Sequence, residues 1–217
     1  MRRLSKVKIE WSPKLAYVIG LIATDGCLSI DNCHIDFTSK DLELVEIFKD
    51  HLNLDNKITR KSRGIEKEKK YFRIQFGDKN FYEFLLNVGL TPHKSKTLGP
   101  LSIPEDYFFD FLRGCIDGDG NIGTFKHPES KNPQLRIRIF SASKSFLEWI
   151  KRTNEPFGVK GYFKYGNRVY ILEYAMTDSI NLINRIYYKE FPPSLGRKFL
   201  LAKSYLPRWR NWQPRYA

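Results

Sequence analysis

Two short stretches of this sequence share one pattern. Residues 18–26 read VIGLIATDG and residues 112–120 read LRGCIDGDG. Each is an apolar helical run with a glycine at its third place and an Asp-Gly pair at its end, and the two aspartates, Asp25 and Asp119, are 94 positions apart. A chain that repeats such a pattern is predicted to fold as two related units.

The glycines inside the two runs indicate close helix packing. A glycine within a helix costs about 1 kcal/mol relative to alanine, so it is expected where a second backbone must approach. If the two helices cross at Gly20 and Gly114, their last turns bring Asp25 and Asp119 side by side. Adjacent carboxylates repel unless a cation lies beside them, and oxygen ligands suit Mg²⁺.

The elements around the two runs follow the same order. Ser12 is predicted to cap a helix whose first residue is Pro13, and alternating strands, amphipathic helices and hairpins follow. The predicted fold is α/β (α+β), with two pseudo-symmetric αββαββα repeats that each carry a four-stranded antiparallel sheet. We place the domains at 1–100 and 101–217, with the join near 98–104.

In the second repeat, local sequence signals predict a helix start, a hairpin turn and the packing of the tail. Pro104 and Glu105 are predicted to open its first helix, and the last hairpin is predicted to turn at Gly166 and Asn167. The tail, 205–217, is basic and aromatic, and we expect its tryptophans to pack on the last helix.

Charge narrows the class of partner. The 217 residues include 37 Lys and Arg against 24 Asp and Glu, a net charge of +13. That surplus favours a nucleic-acid partner, although a basic surface kept for solubility is the alternative. No apolar run reaches the roughly 20 residues of a membrane helix, and no signal peptide is visible, so we expect a soluble intracellular protein.

Other metal and redox motifs are not supported. Three cysteines without a C-x-x-C spacing predict neither disulfides nor a zinc knuckle, and we expect Cys27 and Cys115 to be small core residues. The stretch from Asp117 begins like a calcium-binding EF-hand loop but has Ile122 where that loop needs glycine. The four histidines have no paired spacing.

The two nonapeptides resemble the paired signature of the LAGLIDADG homing endonucleases, in their single-chain form with two motifs. The sequence departs from the pattern at Ala23 and Arg113, and neither change removes the final acid. The resemblance implies a monomeric, intron-encoded, Mg²⁺-dependent endonuclease, in which Ca²⁺ or Mn²⁺ can replace Mg²⁺. It would cut both strands of a long asymmetric DNA target and leave short 3′ overhangs.

The resemblance also implies the active-site residues. Asp25 and Asp119 would be the metal ligands, and the main-chain carbonyls before them would contact the metal as well. A lysine after the first strand and one near the end of each half would act on water and phosphate, although each is equally well explained as a surface charge. The carbonyl residues are Thr24 and Gly118, and the lysines are Lys40, Lys94 and Lys198.

Alternation along the strands predicts a DNA-binding face. In QLRIRIF (134–140) Leu135, Ile137 and Ile139 face inward, so the polar residues between them face outward. Arginine and glutamine read base edges, lysine and tyrosine hold phosphates, and we see no matching acidic row; ordinary surface polarity is the alternative. The predicted outward residues are His34, Asp36, Thr38, Ser39, Tyr71, Arg73, Gln75, Gln134, Arg136, Arg138, Ser141, Lys160, Tyr162, Lys164 and Arg168.

Two other functions fit the same scaffold. The first is an RNA maturase, a splicing cofactor that binds its own intron RNA. The second is a DNA-binding regulator without catalysis. Because an acid is retained at the end of each motif, we favour the endonuclease.

Overall fold

The computed structural model describes residues 5–62, 68–126, 133–191 and 193–206. Two successive sets of elements run in the order αββαββα, as the sequence predicts, and one more helix follows. The first set is α1 (Pro13–Asp25), β1 (Gly26–Leu28), β2 (His34–Ser39), α2 (Leu42–His51), β3 (Thr59–Lys61), β4 (Tyr71–Gly77) and α3 (Lys79–Val88). The second set is α4 (Phe108–Asp119), β5 (Gly120–Phe125), β6 (Gln134–Ser141), α5 (Lys144–Asn154), β7 (Tyr162–Gly166), β8 (Val169–Tyr174) and α6 (Met176–Ile186), and α7 (Gly196–Ser204) follows.

Each half contains one antiparallel sheet of four strands. The strand orders are β1-β2-β4-β3 and β5-β6-β8-β7, so the two central strands of one sheet match those of the other. Leu135, Ile137 and Ile139 are fully buried, which confirms the predicted inward face of β6. The helices cover this face, and the opposite face of each sheet carries the polar rows.

Helix boundaries follow from local capping. The Ser12 hydroxyl accepts a hydrogen bond from the Leu15 N–H at 3.2 Å, and Pro13 follows at the first helical position, as predicted. The Asp78 carboxylate caps α3 by accepting from the Phe81 N–H at 2.9 Å. Gly89 ends α3 in the left-handed conformation, with φ at 108°, which glycine adopts without steric cost.

The helices α1 and α4 pack against each other at two glycines. A β-carbon on Gly20 would lie 2.1 Å from the Phe111 carbonyl oxygen, and one on Gly114 would lie 2.1 Å from the Tyr17 carbonyl oxygen. No side chain fits at either point, so the backbones touch there. We call this contact the α1–α4 seam, and it joins the two halves.

Arg113, the unusual residue of the second nonapeptide, lies fully buried beside the seam. Its Nη2 lies 2.7 Å from Asp110 Oδ1, and its Nη1 donates to the Ile186 carbonyl at 2.7 Å. The guanidinium also lies 5.3 Å from the centroids of the Tyr17 and Phe191 rings. Partners on several sides make this buried charge tolerable.

Four local expectations need correction or lie outside the described residues. A short 3₁₀ turn, Glu105–Tyr107, precedes α4, so that helix begins later than Pro104 and Glu105 predict. The last hairpin turns at Asn167 and Arg168, which have φ values of 52° and 64°, rather than at Gly166 and Asn167. Lys160 precedes β7, and its N–H donates to Asp178 Oδ1. The tail after residue 206 is not described.

Within the residues that the structure describes, no helix is long and apolar enough to span a bilayer.

Candidate active site and nucleic-acid interface

Each motif aspartate lies where a helix passes directly into a strand. Asp25 is the last residue of α1 and Asp119 the last of α4, and Gly26 and Gly120 begin the next strands in extended conformation. A β-carbon on Gly26 would lie 2.6 Å from Ile22 Cα, and one on Gly120 would lie 2.6 Å from Ile116 Cα. Only glycine permits this abrupt exit, which leaves each carboxylate at the helix end.

The α1–α4 seam brings the two helix ends together. A β-carbon on Gly118 would lie 2.1 Å from Thr24 Oγ1 and 3.5 Å from Asp25 Oδ2. Asp25 is half-buried and Asp119 is exposed. Both carboxylates act on Lys94, whose pKa they raise against a larger lowering by burial. The four predicted metal-site residues therefore form one group.

The donor atoms of this group suit a hard divalent cation. Asp25 and Asp119 offer carboxylate oxygens, and Thr24 and Gly118 offer main-chain carbonyls, which are the ligand types of Mg²⁺ and Ca²⁺. Within the described residues, no three His, Cys, Asp or Glu side chains form a complete metal cluster. A bound ion would therefore need further ligands in addition to these side chains, such as water.

A buried lysine lies beneath each motif. Lys94 Nζ donates to the Gly26 carbonyl at 2.5 Å, and Lys198 Nζ donates to the Gly120 carbonyl at 2.9 Å. The two side chains are 5% and 4% exposed, and the acceptors are equivalent residues of the two motifs. Burial lowers the pKa of each ammonium group, and neighbouring carboxylates, among them Asp25, counteract that effect.

The segments that carry these lysines also bind the opposite half. The Leu98 carbonyl accepts a hydrogen bond from Ser143 Oγ, at the start of α5, at 2.5 Å. Arg197 Nη2 lies 2.9 Å from Asp41 Oδ2, at the start of α2, and the Gly196 N–H donates to Glu43 at 3.0 Å. We call 94–98 and 195–198 the crossing segments.

Lys40 lies apart from this buried pair, at the wall of an open cleft beside Asp25. Its Nζ is 5.5 Å from the centroid of the Tyr71 ring. The second half has Ala142 at the matching place, and the nearby Lys144 pairs with Glu148 at 3.0 Å. The cleft has a volume of about 470 Å³. Its lining residues are Asp25, Cys27, Asp36, Thr38, Ser39, Lys40, Asp41, Lys61, Ser62, Tyr71 and Gly118.

The polar face of the first sheet carries acids as well as bases. Arg73 forms an ion pair with Asp36 across β2 and β4, and Thr38 donates to the same carboxylate at 2.9 Å. His34 Nδ1 lies 2.6 Å from Asp31, a loop residue whose pKa the hydrogen bonds from His34 lower to about 2. Gln75 is exposed on the same face.

The second sheet repeats this arrangement more densely. Arg136, Arg138, Tyr162 and Lys164 all contact Glu173, whose side chain is only 1% exposed. Each polar face therefore carries one acid, Asp36 or Glu173, that pairs with the basic side chains around it. Gln134 is half-buried at the start of β6, and Arg168 is exposed in the turn.

Two predicted DNA contacts already have roles within the fold. Ser39 Oγ accepts from the Asp41 N–H at 3.2 Å, and Ser141 Oγ accepts from the Ser143 N–H at 3.1 Å. These bonds tighten the turns that lead into α2 and α5, at equivalent places in the two halves.

The family of the protein follows from this repeated architecture and from comparison with known proteins. The model of the LAGLIDADG-like domain matches residues 12–89 and 106–195, which is most of the chain. This chain belongs to the LAGLIDADG-like family. A comparison of the sequence with curated proteins found no match.

Solved structures share the LAGLIDADG fold at low sequence identity. The homing endonuclease I-DmoI in complex with DNA and Ca is 20% identical with a TM-score of 0.58, over 87% of this chain and 96% of that one. I-DmoI with DNA and Mn is 19% identical with a TM-score of 0.55, over 82% and 98%. Full-length DUF199/WhiA from Thermatoga maritima is 14% identical with a TM-score of 0.56, over 94% and 67%, and it is not described as an endonuclease.

Sequence reasoning missed several residues near the LAGLIDADG motifs. Cys27, expected in the core, is exposed and lines the cleft, whereas Cys115 is buried as expected. Lys61 and Ser62 reach the same cleft from β3 and the residue after it. Alternation in VYILEY (169–174) places Glu173 on the polar face, and that signal could have identified it.

Proposed function

We propose that this protein is a site-specific double-strand DNA endonuclease that uses Mg²⁺. One observation carries the proposal: the α1–α4 seam delivers two carboxylates to the same place, with a buried lysine behind each. The net charge of +13 and the likeness to DNA-bound I-DmoI support a DNA substrate.

The residues of the site have distinct proposed tasks. When bound, Mg²⁺ supplies a Lewis acid for the phosphate and lowers the pKa of a bound water. Asp25 and Asp119, together with the carbonyls of Thr24 and Gly118, hold the cation. Lys94 and Lys198 fix the carbonyls just after the two acids, so each keeps the shape of one helix end and adds positive charge beneath the phosphates. Lys40 contributes a third cation from the cleft wall.

Recognition falls to the polar faces of the two sheets. We propose that a single chain binds the duplex, with 1–100 on one half of the target and 101–217 on the other. Because the outward residues of the halves differ, the target is long and asymmetric. Cuts in the two strands around the paired acids leave short 3′ overhangs. We further propose that the protein is intron-encoded.

Cleavage of a randomised DNA library tests this function. With Mg²⁺, the wild type is expected to cut a narrow set of sequences, and Ca²⁺ is expected to permit binding without turnover. Asp25→Asn removes a metal ligand and is expected to lower cleavage more than about 100-fold, beyond the usual loss when only a group behind a ligand is removed. Asp55→Asn, at an exposed site away from the cleft, is the matched control.

Two outcomes would overturn the proposal. Equal cleavage by the wild type and Asp25→Asn would show that Asp25 has no role in catalysis. If neither protein cuts any duplex while both bind a structured intron RNA, the protein is a maturase instead.

A further inference from the structure

Glu173 is a buried carboxylate on the polar face of the second sheet. In the strand register it lies directly opposite Arg138 on one side and Tyr162 on the other. Its neighbours in β8, Leu172 and Tyr174, are fully buried in the core, so Glu173 itself points to the opposite face. An acid at the centre of a surface proposed to bind DNA calls for an explanation.

Four donors converge on this carboxylate. Arg136 Nη1 lies 2.5 Å from Oε1, Arg138 Nε lies 2.6 Å from Oε2, and Lys164 Nζ lies 3.1 Å from Oε1. The Tyr162 hydroxyl also donates to Oε1. Burial alone raises the pKa of Glu173, but these hydrogen bonds outweigh it and lower the pKa to about 2. One negative charge among three positive ones leaves a surface that still attracts DNA.

Arg136 and Arg138 differ in how many of their N–H groups remain available for a contact with DNA. Arg136 is 17% exposed, its Nη1 also lies 3.2 Å from the Tyr162 hydroxyl, and its guanidinium carbon is 4.3 Å from the centroid of the Phe125 ring. Arg138 is 34% exposed and gives its Nε to Glu173. The two terminal nitrogens of Arg138 are therefore the part of this cluster best placed for a base edge.

We infer that Glu173 is a positioning residue for sequence readout, which holds Arg138 so that its two terminal nitrogens meet O6 and N7 of one guanine. This inference rests on the proposed function. Bidentate contacts of arginine with guanine need a fixed orientation of the guanidinium plane. Fixing that plane before DNA arrives removes the cost of ordering a long side chain on binding.

The first sheet provides an internal comparison. Asp36 and Arg138 are equivalent, since each lies three residues before the matching serine, Ser39 or Ser141. The first sheet therefore has its acid on the second strand and its base, Arg73, on the fourth, whereas the second sheet has the reverse. Asp36→Asn disrupts the corresponding pair in the other half and serves as the matched control.

The experiment is a binding selection with the full chain in Ca²⁺. The DNA is a library of duplexes randomised over a length that covers both halves of the proposed target. The wild type is expected to select guanine at one position in the half read by the second sheet. Glu173→Gln keeps the side-chain volume and is expected to reduce that preference by about 5- to 150-fold, the range for one bidentate base contact. Asp36→Asn is expected to alter positions in the other half only.

Each outcome decides the inference. A folded Glu173→Gln protein with an unchanged profile, or with binding weakened equally at every position, would overturn it. If Glu173→Gln does not fold, Arg138→Met is measured in its place, and a guanine preference that survives this substitution would overturn the inference. A wild type that selects no duplex would overturn the proposed function as well, whereas the first two results would leave that function intact.

Discussion

Single residues show where the two halves have diverged. At the spacing of 94 residues, Asp110 and Arg113 of α4 correspond to Ala16 and Ile19 of α1. One helix of the seam thus carries a buried ion pair where its partner carries two apolar side chains. Burying such a pair costs as much as its attraction returns, unless the surrounding hydrogen bonds are complete.

Removing one partner of this pair is expected to destabilise the fold strongly. Asp110→Ala leaves the Arg113 guanidinium buried without its carboxylate, so the free energy of unfolding should fall by about 3 to 5 kcal/mol. The double variant Asp110→Ala/Arg113→Ile copies the first half and should lose less than the single variant. Urea unfolding measures the difference, and a double variant less stable than Asp110→Ala would contradict this account.

Lys94 is expected to matter for cleavage more than for stability. Lys94→Met preserves the buried volume but removes the donor to the Gly26 carbonyl and the charge near both aspartates. Cleavage should fall by roughly 100- to 1000-fold, the usual loss for one preorganised donor. Lys94 lies in a short 3₁₀ turn, Lys94–Lys96, and Lys96→Met, at the exposed end of that turn, is the control. Single-turnover assays that find equal rates for both variants would exclude this role.

At this scale, the sequence predicts which way side chains face better than what they contact. Alternation placed Arg136 and Arg138 on the polar face because strand geometry has a period of two. It did not reveal that Glu173 binds them, because that contact depends on the register of strands 35 residues apart. Cys27 was misplaced because a three-residue edge strand exposes it.

Among the contacts between elements, the α1–α4 seam is expected to be the least tolerant of added side-chain volume. Gly20→Ala would force a β-carbon to 2.1 Å from the Phe111 carbonyl, so the helices must separate. We expect a loss of about 1 to 3 kcal/mol of stability together with slower cleavage, because Asp25 moves with its helix. Gly99→Ala meets no atom within 4 Å and is the control. Thermal unfolding and cleavage rates test this, and a variant unchanged in both would refute the packing argument.

The end of α2 is expected to make stability depend on pH. Burial, with Lys14 and Arg113 nearby, lowers the pKa of His51 to about 3, although its Nε2 contacts the Pro193 carbonyl at 3.0 Å. The unfolded state has a pKa near 6.5 and binds the proton first, so stability is lost as pH falls from 6.5 towards 3. At pH 5 the loss attributable to His51 is about 1 to 2 kcal/mol.

The histidine contribution can be isolated by substitution. His51→Gln lacks the ionisable group, so the urea midpoint of this variant should change less than that of the wild type between pH 6.5 and pH 5. Parallel slopes for the two proteins would assign the pH dependence to other groups.

Element order was predictable, whereas the paths between elements were not. The two nonapeptides and the alternating strands specify αββαββα twice because each signal is local. The crossing segments depend on contacts such as Arg197 with Asp41, which are 156 residues apart. No local pattern encodes such a pair. The similar places of Lys94 and Lys198 could be read from the sequence, but their common acceptors could not.

For the whole molecule, the surplus of positive charge predicts strong salt dependence of DNA binding. If six to ten phosphates are neutralised, affinity should fall by about 10³- to 10⁵-fold between 50 and 200 mM salt. Lys61→Ala, in the cleft, should reduce the slope of log K against log salt by about one phosphate contact. Lys79→Ala, on the helical layer, should leave the slope unchanged. Titrations in Ca²⁺ provide the measurement, and a salt-independent affinity would argue against phosphate contacts.

The crossing segments also limit how this scaffold can be re-engineered. A chimera that takes one half from another protein of the same fold would inherit a lysine whose flanking residues are tied to α2 or α5 of the discarded partner. Arg197 would then lose Asp41, or Leu98 would lose Ser143, and the ammonium group beneath the graft would lose its support. A working hybrid therefore needs each crossing segment to be exchanged together with the start of the helix, α5 or α2, that it contacts.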